Sequence, residues 1–198
     1  TKCLIVGAGG LGCPVGLYAS AAGFGYIEIW DDDIIEITNL NRQIAHKTNN
    51  IGINKAENLA KECLKINPNI TVRFQSSNFD ISKDINIFDI IFDCSDNQET
   101  KYALNYLSHK HKKILISGSA VQMEGQLSVL KSGLNNTLPC YECIFPKTTE
   151  KAPITNCREA GIIGPITAFI ASMQVSEAIK EIALLNYPSI AGYLILYD

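Results

Sequence analysis

The first strand of the sequence leads into a glycine pattern that suits phosphate binding. The apolar run of residues 4–6 is too short for a helix and predicts a buried parallel strand; Gly7, Gly9 and Gly12 follow with the spacing Gly-x-Gly-x-x-Gly. Glycines allow a tight turn from strand to helix and let the backbone approach a phosphate, whose charge is met by N–H groups at the helix N-terminus. The pattern therefore predicts a nucleotide site.

A carboxylate follows the second predicted strand. Asp31 comes directly after residues 25–30, where a carboxylate would hydrogen-bond a ribose hydroxyl. Together these features fit NAD, FAD, S-adenosylmethionine or ATP, and for the glycine pattern alone NAD is the first choice. The choice among these nucleotides depends on residues further along the chain.

Two cations and an amide lie close behind this nucleotide pattern. Asn39 and Arg42 belong to a polar loop, and Lys55 begins the next predicted helix. They are more than NAD requires, but they suit a triphosphate, because negative charge builds up on a departing pyrophosphate. Each residue taken alone would more often be a solvated side chain on the surface.

The chain has seven cysteines, which favours metal or thiol chemistry over a disulfide framework, since the number is odd and the sequence otherwise resembles a cytosolic protein. Cys140 and Cys143 form a Cys-x-x-Cys pair in a loop, which is half of a tetrahedral zinc site; redox chemistry is the alternative. Four others fall in apolar strands or helix faces and are interpreted as small buried hydrophobes: Cys3, Cys13, Cys63 and Cys94.

Composition excludes several classes of protein. With 198 residues and 46% hydrophobic content, the chain can bury a single core, so one domain over residues 1–198 is expected. The net charge of −3, with scattered cations, argues against nucleic-acid binding. Residues 3–27 carry no charge, but their seven glycines predict a buried strand, turn and helix rather than a signal peptide or a membrane span. We therefore expect a cytoplasmic protein with no membrane partner.

The predicted elements describe an α/β fold with a Rossmann-like, mostly parallel sheet and an antiparallel C-terminal extension. Helices are predicted over 11–22, 52–66, 99–109 and 164–185. Strands are predicted over 25–30, 71–74, 87–94, 114–118, 126–130 and 193–197. The stretch 31–43 reads as a functional loop with a helical turn, and 131–165 as a second long loop.

Taken together, these residues resemble the MoeB/ThiF/HesA family and the adenylation domain of ubiquitin-activating enzymes over nearly the whole chain. The motifs that carry the resemblance are Gly-x-Gly-Gly-Leu-Gly at 7–12, Ala-Gly-Phe-Gly at 22–25, Asp-x-Asp at 31–33, Asn-Leu-x-Arg-Gln at 39–43, Gly-x-x-Lys at 52–55, Asp-Cys-Ser-Asp-Asn at 93–97, Pro-Cys-Tyr-x-Cys at 139–143 and Cys-x-x-Ala-Gly at 157–161. The combination is very specific, and it implies a fold of the ThiF/MoeB type.

The resemblance implies ATP-dependent adenylylation of the C-terminal glycine of a small ubiquitin-like sulfur carrier that ends in Gly-Gly, of the molybdopterin-synthase or thiamine type. Attack by a carboxylate on the α-phosphorus brings two anions together, so such a site supplies positive charge and alignment rather than a general base. The resemblance assigns the phosphate turn to Gly10 with Gly7, Gly9 and Gly12, ribose to Asp31, phosphate contacts to Asn39 and Arg42, neutralisation of the triphosphate to Lys55, and Mg²⁺ to Asp96 beside Asn97.

The resemblance also implies a homodimer, and zinc held by Cys140 and Cys143. In the family a second Cys-x-x-Cys lies near the C-terminus, and an N-terminal arm brings an arginine into the partner subunit's site; we expect this chain to lack both. Cys157 matches the position that some members use to form a thioester or acyl-disulfide with the activated carrier. For this chain, nucleophile and bystander remain equal alternatives.

Two functions of other classes stay open. An NAD-dependent oxidoreductase would bind a nicotinamide cofactor and give Arg42, Lys55 and Asp96 no catalytic part. A non-catalytic binding module would keep the fold and a surface for the carrier.

Overall fold

The computed structural model describes residues 1–147, 161–184 and 186–198. Its strands are β1 (Lys2–Val6), β2 (Tyr26–Trp30), β3 (Thr71–Gln75), β4 (Ile90–Asp93), β5 (Ile114–Val121), β6 (Glu124–Leu130) and β7 (Leu194–Tyr197). Its helices are α1 (Gly12–Ala21), α2 (Lys55–Ile66), α3 (Gln98–Lys110), the single turn α4 (Tyr141–Ile144) and α5 (Gly164–Ala183).

The strands form one seven-stranded sheet in the order β3-β2-β1-β4-β5-β6-β7. The strands from β3 to β5 are parallel, with Val6 opposite Trp30 on one side and Asp93 on the other. β6 and β7 add to the sheet in antiparallel orientation. The predicted fold class, a mostly parallel Rossmann-like sheet with an antiparallel C-terminal extension, is confirmed.

Apolar residues on the two faces of the sheet form two separate cores. On one face, side chains such as Ile5 and Phe92 pack against α1, α2 and α5, which contribute Val15, Leu59 and Ile170. On the other face, strand residues meet Leu104 and Leu107 of α3. Burial of the strands on both faces explains why their sequences are nearly continuous apolar runs.

Several elements differ from the predicted ones: α2 begins at Lys55 rather than at residue 52, and β5 extends to Val121 rather than ending at residue 118. The strand predicted over 87–94 is limited to Ile90–Asp93, because the N–H of Phe88 donates to the carbonyl of Ile85 in a turn. The long loop predicted over 131–165 contains the helical turn α4. The functional loop predicted over 31–43 contains one 3₁₀ turn, Ile37–Asn39, as expected.

None of the helices in the described ranges is both long and apolar enough to cross a membrane.

Candidate active site

The sheet opens a crevice between β1 and β4, where the chain order changes direction. The carboxyl ends of these strands lead into the glycine turn and into residues 94–97, and open parallel sheets bind ligands at such switch points. Gly7 has a φ of +99°, and a Cβ there would lie 2.5 Å from the carbonyl oxygen of Cys94. The floor of the crevice therefore accepts only glycine at this position.

The other glycines of the turn have different tasks. A Cβ at Gly12 would overlap the carbonyl oxygen of Gly7, so Gly12 lets α1 pack directly behind the turn. A Cβ at Gly10 would approach the Thr167 side chain of α5 to 3.0 Å. Gly9 and Gly10 line the crevice, which places their backbone beside the N-terminus of α1.

The crevice continues into a cleft of about 1090 Å³. Nine of the residues predicted to bind a nucleotide line it together: Gly7, Gly9, Gly10, Asp31, Asn39, Arg42, Lys55, Asp96 and Asn97. They come from five separate segments of the chain, and the fold brings them into one cavity.

Asp31 is held in place by the glycine turn itself. Its Oδ2 accepts a hydrogen bond from the N–H of Ala8 at 2.6 Å, and its Oδ1 accepts one from the N–H of Asp33 at 2.9 Å. Burial raises the pKa of Asp31, although the hydrogen bond from Ala8 and the charge of Lys55 oppose the shift. The carboxylate is thus fixed at the rim of the cleft, where each oxygen can still accept a hydroxyl.

Lys55 is the first residue of α2 and is only 6% exposed. Its Nζ lies 2.6 Å from Oδ2 of Asp33. The preceding residue, Asn54, accepts a hydrogen bond from the N–H of Glu57 and so caps the helix, while its Nδ2 donates to the carbonyls of Asp31 and Asp33. The cap fixes both the start of α2 and the direction of the lysine.

Asn39 and Arg42 sit on the loop between β2 and α2. Oδ1 of Asn39 accepts from the N–H of Glu36 at 3.1 Å, which leaves the amide nitrogen as the group able to donate to an anion. Nη1 of Arg42 donates to the carbonyl of Thr38 and to Oδ1 of Asn41, each at 3.0 Å. These local bonds hold the guanidinium at the wall of the cleft.

Asp96 and Asn97 follow β4. The carboxylate of Asp96 is exposed at the edge of the cleft, where oxygen ligands could reach a divalent cation. The side chain of Asn97 accepts a hydrogen bond from the N–H of Thr100 at 2.8 Å and caps α3. Asn97 therefore has a structural task in addition to the binding role that the sequence suggests.

A buried ion pair beneath the cleft was not found from the sequence. Nζ of Lys101 lies 2.9 Å from Oδ2 of Asp93, and the hydroxyls of Ser95 and Ser117 donate to the same carboxylate at 2.6 Å. The backbone of β4 and β5 is further tied to α5 by Gln174, whose Nε2 donates to two main-chain carbonyls. The sequence indicates this ion pair only indirectly: Asp93 ends an apolar strand, three residues before Asp96.

Two aromatic side chains also line the cleft, which the sequence did not reveal. Trp30 and Phe79 both line it and meet edge to face, with ring centroids 5.5 Å apart. Nε1 of Trp30 donates to the buried carboxylate of Glu28 at 2.8 Å, and Lys83 pairs with Glu28 at the same distance. Trp30 could have been suspected, because it immediately precedes Asp31 at the end of its strand.

Gln43 is a further lining residue without a predicted role. It is 3% exposed, and its Oε1 has no hydrogen-bond partner among the residues that the structure describes. A Cβ on Gly9 would lie 3.6 Å from its Nε2, so the amide sits against the glycine turn.

The predicted zinc ligands lie near the cleft. Sγ of Cys140 is 3.5 Å from Sγ of Cys143, and Tyr141 between them lines the cavity. Burial of Cys140 opposes ionisation, but hydrogen bonds from Cys143 and Asn105 outweigh it and lower the pKa of the Cys140 thiol. Cys3, Cys13, Cys63 and Cys94 are buried free thiols, as predicted. Cys157 lies outside the described residues.

The chemistry of the cleft is that of charge stabilisation. Its described lining contains the cations of Arg42, Lys55 and Lys101 and several carboxylates, but no histidine. A glycine turn at a helix N-terminus and fixed cations suit a polyphosphate, whose reactions depend mainly on alignment and neutralisation.

Comparison with known proteins gives a consistent result. A family model described as the ThiF family matches residues 1–198. The adenylyltransferase and sulfurtransferase MOCS3 of Caenorhabditis briggsae is 42% identical over 201 residues, which cover 100% of this chain and 49% of that protein. The adenylyltransferase and sulfurtransferase UBA4 of Scheffersomyces stipitis is 43% identical over 183 residues, covering 89% of this chain and 40% of that protein. The chain thus spans less than half the length of these relatives.

Solved structures share the fold. A crystal structure of E. coli MccB with ATP superimposes with a TM-score of 0.81 at 25% identity, covering 98% of this chain and 59% of that chain. Another structure of MccB gives a TM-score of 0.83 at 24% identity and covers 98% of this chain and 60% of that one.

Proposed function

The chain belongs to the ThiF family, and on that premise we propose that it uses ATP to adenylylate the C-terminal glycine of a small ubiquitin-like sulfur-carrier protein. The proposed carrier ends in Gly-Gly and is of the molybdopterin-synthase or thiamine type. Support comes from relatives named adenylyltransferase and sulfurtransferase and from a structural neighbour solved with ATP.

One observation carries the proposal: Arg42 and Lys55 face the same cleft as the glycine turn. A dinucleotide carries its phosphates in a bridge that the turn alone can hold. Two additional cations are needed when a triphosphate is cleaved and negative charge moves onto the leaving group. For this reason, and because of the family, adenylylation is favoured over an NAD-dependent oxidation.

In the proposed reaction, a carboxylate oxygen of the carrier's last glycine attacks the α-phosphorus of ATP. The new bond joins that oxygen to phosphorus, the bond from the α-phosphorus to the bridging oxygen breaks, and its electron pair leaves with pyrophosphate. The attacking carboxylate carries no proton that must be removed, so the reaction requires no general base. A reaction that needs no general base agrees with a cleft whose described lining lacks histidine.

Most of the residues predicted to bind the nucleotide have a defined role in this reaction. N–H groups of the glycine turn and the amide of Asn39 would donate to phosphate oxygens, and Asp31 would accept from ribose. Arg42 would orient the phosphates, and Lys55 would release Asp33 and neutralise the charge that builds up on pyrophosphate.

Metal ions belong to the same proposal. Asp96 has the oxygen donors that Mg²⁺ prefers, and it would hold the ion against the phosphates. Cys140 and Cys143 also fit zinc: tetrahedral coordination places two sulfurs about 3.8 Å apart, close to the 3.5 Å between their Sγ atoms. Bound magnesium would supply extra positive charge, whereas zinc at this loop would be structural.

We also propose a homodimer in the cytoplasm. Ile34, Ile37 and Ile44 are exposed on the loop that bears Asn39 and Arg42, and exposed apolar side chains grouped in this way favour a protein interface. The described cysteines are all free, as expected where thiols are kept reduced.

The test is carrier-dependent exchange of labelled pyrophosphate into ATP by the full-length protein, with candidate carriers ending in Gly-Gly. Exchange with one carrier would establish acyl-adenylate chemistry and identify the substrate. Absence of exchange with every carrier, despite ATP binding, would instead support a non-catalytic carrier-binding module. A Cys157→Ala variant, assayed both for exchange and for sulfur transfer to the carrier, separates the two possible roles of Cys157: retained exchange with lost transfer indicates a nucleophile, and full sulfur transfer indicates a bystander.

A further inference from the structure

A buried histidine connects the glycine turn to the helix that carries Lys55. His46 is 5% exposed, and its Nε2 lies 3.0 Å from the carbonyl oxygen of Ala8, the residue between Gly7 and Gly9. On the other side of the ring, Nδ1 lies 2.9 Å from Nδ2 of Asn58 in α2.

The surroundings of the ring determine which nitrogen carries the proton. Nδ2 of Asn58 also donates to the carbonyl of Ala45 at 3.0 Å, which turns the amide nitrogen toward the ring. Nδ1 of His46 must therefore accept, and this assignment places the proton on Nε2, which donates to Ala8. Rotation of the Asn58 amide would sacrifice its bond to Ala45.

His46 therefore holds the peptide bond between Ala8 and Gly9 from the side of the Ala8 carbonyl. In a trans peptide the C=O of one residue and the N–H of the next point in opposite directions. His46 holds the Ala8 carbonyl, which also accepts a weaker bond from Sγ of Cys13 at 3.4 Å, so the N–H of Gly9 points the other way, toward the cleft that Gly9 lines. The N–H of Ala8 is fixed separately by Asp31 at 2.6 Å.

We propose that His46 is a positioning residue for the nucleotide phosphates, which acts by holding the Ala8 carbonyl and thereby aiming the Gly9 N–H at a phosphate oxygen. The inference rests on the proposed function in that it takes ATP as the ligand. His46 itself does not touch the nucleotide, and it takes no part in the bond changes.

The neutral ring is the form that fits both neighbours: a protonated ring would still donate from Nε2 to Ala8, but it would be pushed from its position on the Asn58 side. Protonation would place an N–H on Nδ1 opposite the NH₂ group of Asn58, so two donors would face each other. The titratable and charged groups around the ring are Cys13 of α1, whose Sγ lies 3.5 Å from Nε2, Lys55 and Glu62 of α2, and Asp31 across Ala8. Burial lowers the pKa of His46; the bond to Ala8 opposes this, Lys55 adds to it and Glu62 opposes it.

The test is ATP affinity, measured by titration calorimetry between about pH 5.5 and 8, for the wild-type chain, His46→Gln and His46→Leu. The amide nitrogen of glutamine can replace Nε2 as a donor and does not titrate, whereas leucine offers no donor. At pH values near 7.5 we expect leucine to weaken ATP binding roughly tenfold and glutamine to stay within about threefold of wild type. Below about pH 6.5 the wild-type affinity should fall relative to that of His46→Gln, a ratio in which the titration of ATP itself cancels.

His111→Gln is the matched control, because His111 bonds to Asn86 away from the cleft and should leave the affinity unchanged. ¹⁵N spectra should show an Nε2-protonated ring whose signals disappear in His46→Gln. Should His46→Leu fail to fold, the ratio of wild type to His46→Gln still decides.

Equal affinities of wild type and a folded His46→Leu, or a ratio to His46→Gln that does not change while the ¹⁵N spectra show the His46 ring becoming protonated, would overturn the role of His46 alone. Failure of the wild-type chain to bind ATP at any pH would overturn the proposed function, and this role with it.

Discussion

Lys55 has a central part in the proposed chemistry of the cleft. Its cation is almost completely buried, yet its partner Asp33 has a side chain that is 42% exposed. Lys55 can therefore exchange this carboxylate for a phosphate at low cost, since water hydrates the exposed carboxylate and replaces its lost contact. The pair thus keeps the lysine in place while the cleft is empty of phosphate.

We expect Lys55→Ala to lower the rate of carrier-dependent pyrophosphate exchange by a factor of roughly 10² to 10³, because one group that stabilises the departing charge is removed. Lys61→Ala is the control: it lies on the same helix, but its pair with Glu57 is exposed and should contribute less than about 0.5 kcal/mol to stability. Thermal melts of both variants establish that they are folded. Equal exchange rates for the two variants would exclude a part for Lys55 in the reaction.

At the residue scale, the sequence predicted the groups that follow strands directly and missed those that depend on contacts between distant segments. Asp31 and Asp96 could be placed because polar residues at the ends of apolar strands meet at one edge of a parallel sheet. The contact between Trp30 and Phe79 joins two segments whose relation only the tertiary structure reveals. The same holds for Lys101, which on its helix reads as an ordinary surface cation.

At the scale of elements, the strand and helix types were predictable because their apolar periods are clear, whereas some boundaries were not. Residues 87–89 are apolar at two positions and Phe88 is fully buried, so the pattern resembles a strand although the backbone turns there. Periodicity reports burial, and it cannot separate a buried turn from a buried strand. The antiparallel order of β6 and β7 was indicated by alternation along 126–130.

The turn between β1 and α1 gives a test at this scale. Gly7→Ala combines a φ of +99° with a Cβ 2.5 Å from the carbonyl of Cys94, whereas Gly23→Ala has a φ of +80° and nothing within 4 Å. We expect Gly23→Ala to lower the free energy of unfolding by about 1 kcal/mol and Gly7→Ala by at least about 2 kcal/mol more, since backbone must move to relieve the overlap. Urea unfolding measures both values, and similar losses would mean that the turn can relax.

At the scale of the whole molecule, one measurement tests both the proposed homodimer and the proposed zinc site. We expect native mass spectrometry of the full-length protein to show two chains with one zinc ion each. The distance between the Sγ atoms of Cys140 and Cys143 suits zinc, and the loop that bears Asn39 and Arg42 exposes apolar side chains that suit a dimer interface. Cys140→Ser should lose the zinc, while Cys63→Ala, which removes a buried thiol far from that pair, should keep it. A wild-type protein without zinc would contradict the metal site and favour thiol chemistry at the Cys140–Cys143 pair. A mass that corresponds to a single chain would contradict the homodimer.

The tight packing of the glycine turn also limits how this molecule can change over evolutionary time. Main-chain atoms occupy the space that a side chain at Gly7 or Gly12 would need. No neighbouring substitution can remove those atoms, so both positions are restricted to glycine. Another part of the lining consists of the side chains of Trp30 and Phe79, the latter on a segment outside the strands and helices. Divergence toward another ligand, in nature or in a mutant library, is therefore open at these side chains, whereas substitution of Gly7 or Gly12 would lower the stability of the fold.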